Sequence, residues 1–540
     1  MKTILTYAAF ICSFFIACNS KSEALKNEER KQKKISTRDK SITKVNSYSN
    51  IFLDSLNVER FIAEKQIPDS ISPRIISFYN TRNYQYAWFS SDGLTEQALG
   101  FWNLRNYAIY TGDTSLNDKG LQKKMDHLVA DSDLVVSASN KSIMNTELLL
   151  TQHFIKYSLT NYEKGYIKRK EMERFIPFKK EDAMILADSL ITKKHKDNKY
   201  FDDINQSYKL LKDELKKYYQ IAKNGGWPAL PVDAKQYKKK LPSPLIVTLK
   251  KRLQITGDMP LEDTSQVFTD TLENGIKLFQ QRFGYTPNGI ITSALIKELN
   301  VTALKRVEQI LINLNRMRWM PHEPDGKLIL VNIPEFILHV FEGKNKVFDM
   351  AIVVGKVGNN TMMFTGKLNQ VVFSPHWNVP PSIVKEEILP SIAENVNYLI
   401  DQNMEITGEE DGLPVVRQLP GEKNSLGRVK FLFPNSFNIY FHDTPSKSLF
   451  AKDKRAYSHG CIRLSEPEKM AQYLLKDDNN WPPEKITEAM YSDNEQFVKI
   501  KDPVPVFITY YTAWVDENGV LNFRDDIYKR DANVSKKMFN

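Results

Sequence analysis

The chain has 540 residues, with 75 Lys and Arg against 65 Asp and Glu, a formal net charge of +10. At roughly 150 residues per domain, that length suggests about three or four folded units. Hydrophobic residues at 41% and charged residues at 26% exclude a wholly disordered chain, a collagen-like rod and a multi-span membrane protein. The small positive excess does not by itself point to nucleic acid, and no nucleic-acid partner is expected.

The chain opens with Met1-Lys2-Thr3 and an apolar run to Ala17. That run is short of the about 20 apolar residues that span a bilayer, so residues 1–17 read as a cleavable export signal. It ends in Phe15-Ile16-Ala17-Cys18-Asn19-Ser20, which resembles the lipobox of bacterial lipoproteins, with Phe15 departing from the usual Leu. The resemblance implies acylation of Cys18 and a periplasm-facing protein anchored in a membrane, inner or outer. Three cysteines occur, Cys12, Cys18 and Cys461. With Cys12 removed and Cys18 lipidated, Cys461 is the only thiol left, and no intrachain disulfide framework can form.

Residues 18–50 are rich in Lys, Ser, Asn and Glu and read as a flexible tether. Residues 51–240 read as a helical scaffold: Glu147–His153 and Tyr208–Leu215 place apolar residues at spacings of three and four. His127, His153 and His195 stand singly there and read as surface or packing residues. Pro228, Pro231, Pro242 and Pro244 mark a boundary, followed by a compact unit over 245–300. In it Ile276, Phe279 and Phe283 share a helical face, Gly284 suits a helix C-terminus and Thr292 can cap the next helix. The stretch Asn274–Gly284, Asn288-Gly289-Ile290 and Thr292–Leu295 resembles the small three-helix peptidoglycan-binding domain.

Residues 301–326 read as a connecting helix, with Leu304, Val307, Leu311 and Leu314 on one stripe. From Lys327 the period changes to two, predicting strands over 328–333, 336–341, 347–354, 371–373, 429–433, 437–442 and 504–511. A mainly-β domain over 327–515 results, with an irregular insertion at about 381–428 that is a candidate lid and a C-terminal extension over 516–540. The fold class is thus multidomain α + β.

The chemistry concentrates in Phe437–Pro445 and Arg455–Leu464. Alternation puts Asn438, Tyr440 and His442 on the face opposite Phe437, Ile439 and Phe441. Cys461 follows Gly460, which permits a sharp turn. Ser465–Glu468 reads as a capping box opening a helix through Met470 and Leu474. An imidazole beside the thiol can take its proton and leave a nucleophilic sulfur, and the amides of His459, Gly460 and Cys461 are candidates to hold an oxyanion. Spacing does not choose between His442 and His459 as the base.

Ser458-His-Gly-Cys-Ile-Arg463, with His442-Asp-Thr-Pro445 upstream, resembles the L,D-transpeptidase catalytic domain. Phe373–Ser382, Arg417–Gly421 and Leu426–Phe431 extend the likeness to the large multidomain L,D-transpeptidases. The resemblance implies Cys461 as nucleophile, His442 as base, the Asp443 backbone carbonyl as its orienter, and His459, Gly460 and Cys461 as the oxyanion hole. It implies peptidoglycan stem peptides and glycan as partners, a cysteinyl thioester released to a second stem as a 3→3 crosslink, no cofactor and acylation by carbapenems. Hydrolysis of the same thioester, exchange with D-amino acids, and a non-catalytic wall anchor are the alternatives. Arg463 either grips a carboxylate of the stem peptide or forms a salt bridge to Glu466 or Asp443. Tyr440, Trp377 and Ser458 are further candidates to touch substrate, though such aromatics often belong to a core. His339 and His376 lack partners at metal spacing, so no metal is expected.

Overall fold

The computed structural model describes residues 35–131, 134–161, 175–192, 205–234, 237, 242–322 and 324–540. The export signal, Cys12, Cys18, the first part of the tether and His195 lie outside the described residues. No described helix is long and apolar enough to cross a membrane. The chain divides into two compact units, one comprising the chain to Phe101, Gly112–Glu181 and Lys537–Asn540, the other Trp102–Thr111 and Asp182–Lys536.

In the first unit, helices Ser55–Glu64, Ser72–Asn80, Lys119–Ala130 and Lys141–Asn161 surround an aromatic core. Trp88 lies 5.5 Å from Phe154 and 5.2 Å from Phe101, ring centre to ring centre. Strands β1 (Phe89–Ser90) and β2 (Gly93–Leu94) form a small hairpin. The expectation of a flexible tether to residue 50 fails over 35–50, where Ile42, Tyr48 and Ser49 are buried. The backbone amide of Asp39 donates to Asn80 O (2.9 Å), and Ser47 bridges to Lys179. Few apolar residues suffice there because the segment lies on a core already built by other elements.

Glu147 is fully buried in this unit. Its carboxylate accepts from the amides of Ala87 (2.7 Å) and Trp88 (3.0 Å) and from the Tyr79 hydroxyl (3.0 Å). Burial outweighs these donors and pushes its pKa up to about 7. The unfolded chain ionises this group at lower pH, so its contribution to stability is greatest below about pH 4.5 and is lost as pH rises to about 7. We expect amide-exchange protection of this unit, measured as wild type minus Glu147→Gln, to fall between pH 5 and 7 and then level off. A flat difference would mean Glu147 is ionised throughout.

In the second unit, helices Ala183–Ile191 and Gln206–Lys223 pack on helix Ala303–Met317. The helical stretch expected as one scaffold over 51–240 is therefore divided between the two units. Helices Pro244–Ile255, Asp270–Arg282 and Ser293–Leu299 form the expected three-helix unit, where Thr292 accepts from Leu295 N (3.1 Å) and Gly284 has φ +74°. In Ala303–Met317, Val307, Leu311 and Leu314 are buried as expected, but Leu304 is exposed.

The β-domain is built from β3 (Lys327–Asn332), β4 (Ile337–Glu342), β5 (Asn345–Gly355) and β6 (Phe364–Phe373). After an insertion come β10 (Val429–Leu432), β11 (Phe441–His442), β12 (Ala456–Ser458), β13 (Ile462–Leu464) and β14 (Gln496–Thr509). Among the described residues the strand order is β12-β5-β13-β11-β10-β6-β14-β3-β4, and a β4–β5 pairing closes the sheet on itself. Ile352, Val371, Phe431, Phe441, Ile462 and Leu464 fill the interior.

The strand expected over 437–442 shrinks to Phe441–His442. Asn435 replaces the ladder before it: its Oδ1 accepts from the amides of Phe437 (3.0 Å) and Ile439 (3.1 Å), and its Nδ2 donates to Ile439 O (2.8 Å). The face alternation persists, with Ile439 and Phe441 in the core. The capping box is absent: Glu466, not Ser465, precedes helix Pro467–Leu475, no side chain caps it, and Glu468 accepts from the Thr487 hydroxyl (2.6 Å) instead.

The insertion is a small folded cap. It begins at β7 (Trp377–Asn378), which pairs with β9 (Leu413–Gln418), itself paired with β8 (Met404–Glu410). A π-helical turn, Val384–Ile388, lies in its helical part, and Val379, Val384, Ile388 and Val416 form its own core. Residues 516–540 do not form a separate extension. β15 (Ala513–Val515) pairs with β16 (Leu521–Phe523), Tyr528 donates to Gly355 O (2.6 Å), and Arg316 binds Asp531 (2.5 Å).

Candidate active site

Cys461 precedes β13, and His442 ends β11. The two strands pair in parallel, with Phe441 opposite Ile462 and His442 opposite Arg463, and Ile462 N donates to Tyr440 O (3.1 Å). Phe441 and Ile462 point into the core. The alternating residues Tyr440, His442, Cys461 and Arg463 therefore share the opposite face. That face is the candidate site.

The His442 ring is buried, and its Nδ1 meets Asp443 O at 2.5 Å. Burial, followed by the charge of Arg463, drives its pKa down to about 3. The ring is thus neutral in ordinary buffers. Its Nδ1–H donates to the carbonyl, so the lone pair lies on Nε2, the tautomer a general base requires. The Asp443 carboxylate is used elsewhere: it accepts from Arg428 N (2.9 Å) and binds Lys447. Gly427, at φ +62°, lies so close that a Cβ there would stand 2.3 Å from Asp443 Oδ2. Only glycine fits beneath the residue that aims the imidazole.

The Cys461 thiol is raised above its ordinary pKa by burial, opposed by hydrogen bonds from the Tyr440 amide and phenol and by the charge of Arg463. In this resting arrangement Sγ lies 3.6 Å from Asn438 O, and among the described residues no hydrogen bond joins it to His442. Tyr440 adjoins both groups, hydrogen-bonded to the sulfur and with its ring centre 5.7 Å from that of His442. Asn438 has φ +54°, a left-handed corner that asparagine tolerates and that turns its carbonyl toward the sulfur.

The turn before the sulfur is held from below. Ser458 is buried; its hydroxyl donates to Cys461 O (2.5 Å) and accepts from Gly460 N (3.2 Å). Ser458, expected to touch substrate, is thus occupied in shaping the turn. Because the Gly460 amide is occupied, the expected oxyanion donors narrow to the amides of His459 and Cys461, which have no acceptor among the described residues. Gly460, at φ +116°, supplies the bend. Buried Thr361, not singled out in the sequence, donates to Gly460 O (2.7 Å) and accepts from Gly355 N (2.9 Å).

The two candidate bases separate here. His459 turns to the cap, its Nε2 lying 2.7 Å from Glu387 Oε1. His442 stays on the face of the sulfur. Trp377, expected beside substrate, packs against the core of the cap. His376 binds Glu495 through its amide (3.0 Å) and Nδ1 (3.3 Å), and His339 is held by Asp349 (2.7 Å) and Glu335 (3.2 Å). The sequence also gave no sign of Lys430, which the register sets opposite His442 on the side away from Arg463. Its ammonium lies 3.4 Å from Glu495.

Arg463 has neither expected protein partner. Glu466 binds Lys469 and Asp443 binds Lys447, and among the described residues no carboxylate lies within ion-pair distance of the guanidinium.

Comparisons with known proteins identify the domains. Residues 326–506 match the family described as "L,D-transpeptidase catalytic domain", residues 73–215 a "Scaffold domain", and residues 242–299 a "Putative peptidoglycan binding domain". A Haemophilus influenzae protein described as "Putative L,D-transpeptidase" is 30% identical over 284 residues, 50% of this chain and 55% of the relative. The match thus spans about half of the relative's length. A crystal structure of an L,D-transpeptidase from Stackebrandtia nassauensis is 15% identical, with 48% of this chain and 88% of that one covered and a TM-score of 0.21. An L,D-transpeptidase from Mycobacterium smegmatis is 15% identical, with coverage of 34% and 58% and a TM-score of 0.20. Residues 326–506 are an L,D-transpeptidase domain, joined to scaffold and peptidoglycan-binding modules.

Thr361→Val keeps the side-chain volume but removes the bond to Gly460 O. A net hydrogen bond is worth about 1 kcal/mol, so we expect a modest loss of stability in urea unfolding. The rate of Cys461 acylation by a carbapenem should fall about tenfold, because the amides of the turn lose their aim. Unchanged acylation would show that Ser458 alone holds the turn.

Proposed function

We propose that this protein forms 3→3 peptidoglycan crosslinks through a thioester on Cys461, with a stem tetrapeptide as acyl donor and D-Ala as leaving group. The observation that carries this reading is the shared face of Cys461, Tyr440 and His442 on paired strands, with the imidazole neutral and held by Asp443 O.

The resting pair is thiol and imidazole, not thiolate and imidazolium, since burial raises the one pKa and lowers the other. Substrate entry and rotation of Sγ away from Asn438 O bring the thiol proton to Nε2; catalytic hydrogen bonds commonly tighten only in the complex. Sulfur attacks the carbonyl of the third residue, and the oxyanion is held by the amides of His459 and Cys461. As the C–N bond breaks, the proton on Nε2 passes to the departing amine. A side-chain amine of a second stem then attacks the thioester, gives its proton to Nε2 and restores the thiol. Amide-bond energy is conserved, so no nucleotide is consumed.

The peptidoglycan-binding match supports the wall polymer as substrate, and the lipobox-like segment at Cys18 supports membrane anchoring on the periplasmic side. Hydrolysis of the same thioester is the second reading. The cap of residues 377–418 is tied to the turn through Glu387 and His459, and closure of such a cap over bound substrate would favour transfer by excluding water.

Incubating the protein with stem tetrapeptides and analysing the products by mass spectrometry separates dimer, tripeptide and exchanged species. Cys461→Ala should abolish all three and keep the fold, whereas turnover retained in that variant removes the nucleophile assignment. His442→Ala should cost far more than His459→Ala; equal losses would leave His442 without its role.

With His442 already neutral and the thiol still protonated, the reacting pair keeps one protonation state across pH 6 to 8, so acylation should stay level there, with no inflection near 6.5. Tyr440→Phe removes a donor to the developing thiolate and should slow acylation across that range without adding a pH step. An inflection near 6.5 would mean the imidazole is solvated and titrates normally.

A further inference from the structure

His442 has a cation on each side across the sheet: the register runs Lys430, His442, Arg463. The two cations are not equivalent. Lys430 is answered by Glu495 at 3.4 Å and by His376 O at 3.3 Å. Arg463 is answered by nothing: its half-buried guanidinium has no carboxylate partner among the described residues, and its Nε is buried without an acceptor. Its other cross-strand neighbour is apolar Val353. The Glu466 and Asp443 carboxylates, nearby in sequence, are held by other lysines.

A guanidinium so placed is costly. Burial without a counter-ion is unfavourable, and the charge also works against the neighbouring base, depressing His442. The resting thiol offers it no anion. The missing charge must therefore arrive with the ligand.

Resting on the acyl-transfer reading above, the direction of the reaction says which charge that is. Nε2 of His442 delivers its proton to the departing nitrogen, so the leaving residue lies against His442. When that residue is the last of the donor, its carboxylate sits on the carbon bonded to that nitrogen. The strand partner of His442 is Arg463. We propose that Arg463 is a specificity-determining residue that binds the terminal carboxylate of the leaving amino acid, so that the site accepts donors with one residue beyond the scissile bond. A guanidinium fork suits a carboxylate in two-point contact. By microscopic reversibility, a free amino acid entering as acceptor places its carboxylate on the same fork.

The test uses two donors, the stem tetrapeptide with a free terminal carboxylate and its terminal carboxamide. Binding is read by calorimetry on the Cys461→Ala protein, which needs no turnover, and kcat/KM is read on the active protein. A charge-assisted contact of this kind predicts an acid-over-amide preference of about 10- to 100-fold. Arg463→Gln should bring that ratio to near one, and Arg463→Lys should restore part of it. An acid-to-amide ratio near one in the wild-type background overturns the proposal. So does an Arg463→Gln change that weakens both donors equally, which would confine the guanidinium to stabilising the thiolate. If Cys461→Ala shows the preference while the active protein forms no thioester, the carboxylate site stands and the acyl-transfer reading falls. If neither donor binds, the carboxylate site falls.

Discussion

Two short strands running in parallel, β11 and β13, carry the site, and their register is the constraint on which the rest depends. With Phe441 against Ile462, both anchors go into the core, and the intervening residues are forced onto the other face. A slip of one residue would bury Cys461 and His442 among apolar side chains and expose Phe441 and Ile462. The hydrophobic interior thus specifies the chemistry. It does so with strands of two and three residues, because β10 and β5 flank them and complete the ladder.

Around that register, most polar contacts serve to aim backbone. Asp443 uses its carbonyl for His442 and its carboxylate for Arg428 and Lys447. Ser458 and Thr361 fix the turn of Gly460 from two sides. Glu387 of the cap reaches the same turn through His459. The cost appears in electrostatics: a buried imidazole and a half-buried thiol that are both neutral at rest, beside an arginine with no carboxylate partner among the described residues. Such an arrangement suits a site completed by its ligand.

Much of this was legible in the sequence. The helix face of Ile276 and Phe279 and the Thr292 cap are local patterns, and local patterns read well. The alternation that separates Phe441 from His442 was legible for the same reason, even though Asn435 had taken over the ladder before it. What failed was chemistry that depends on neighbours. Ser465–Glu468 has the letters of a capping box, but the helix starts one residue later, after Glu466, and Glu468 accepts from Thr487. Ser458 looked like a substrate contact and is buried beneath the turn. The segment 35–50 looked unfoldable alone and packs on a core it does not build.

The sequence by itself determined the identity of the reacting groups: a single thiol beside a glycine turn, two candidate imidazoles and an arginine. Side-chain chemistry and strand alternation are properties of the chain at short range. Only the tertiary structure decided which imidazole shares the face of the sulfur, which amides remain free for an oxyanion and which cation lacks a partner. Each of those depends on residues far apart in sequence, brought together by the sheet: Glu387 with His459, Glu495 with Lys430, Thr361 with Gly460. Hydrogen bonds and ion pairs are exclusive, so a group's role is set by the neighbours that reach it, and the fold chooses those neighbours.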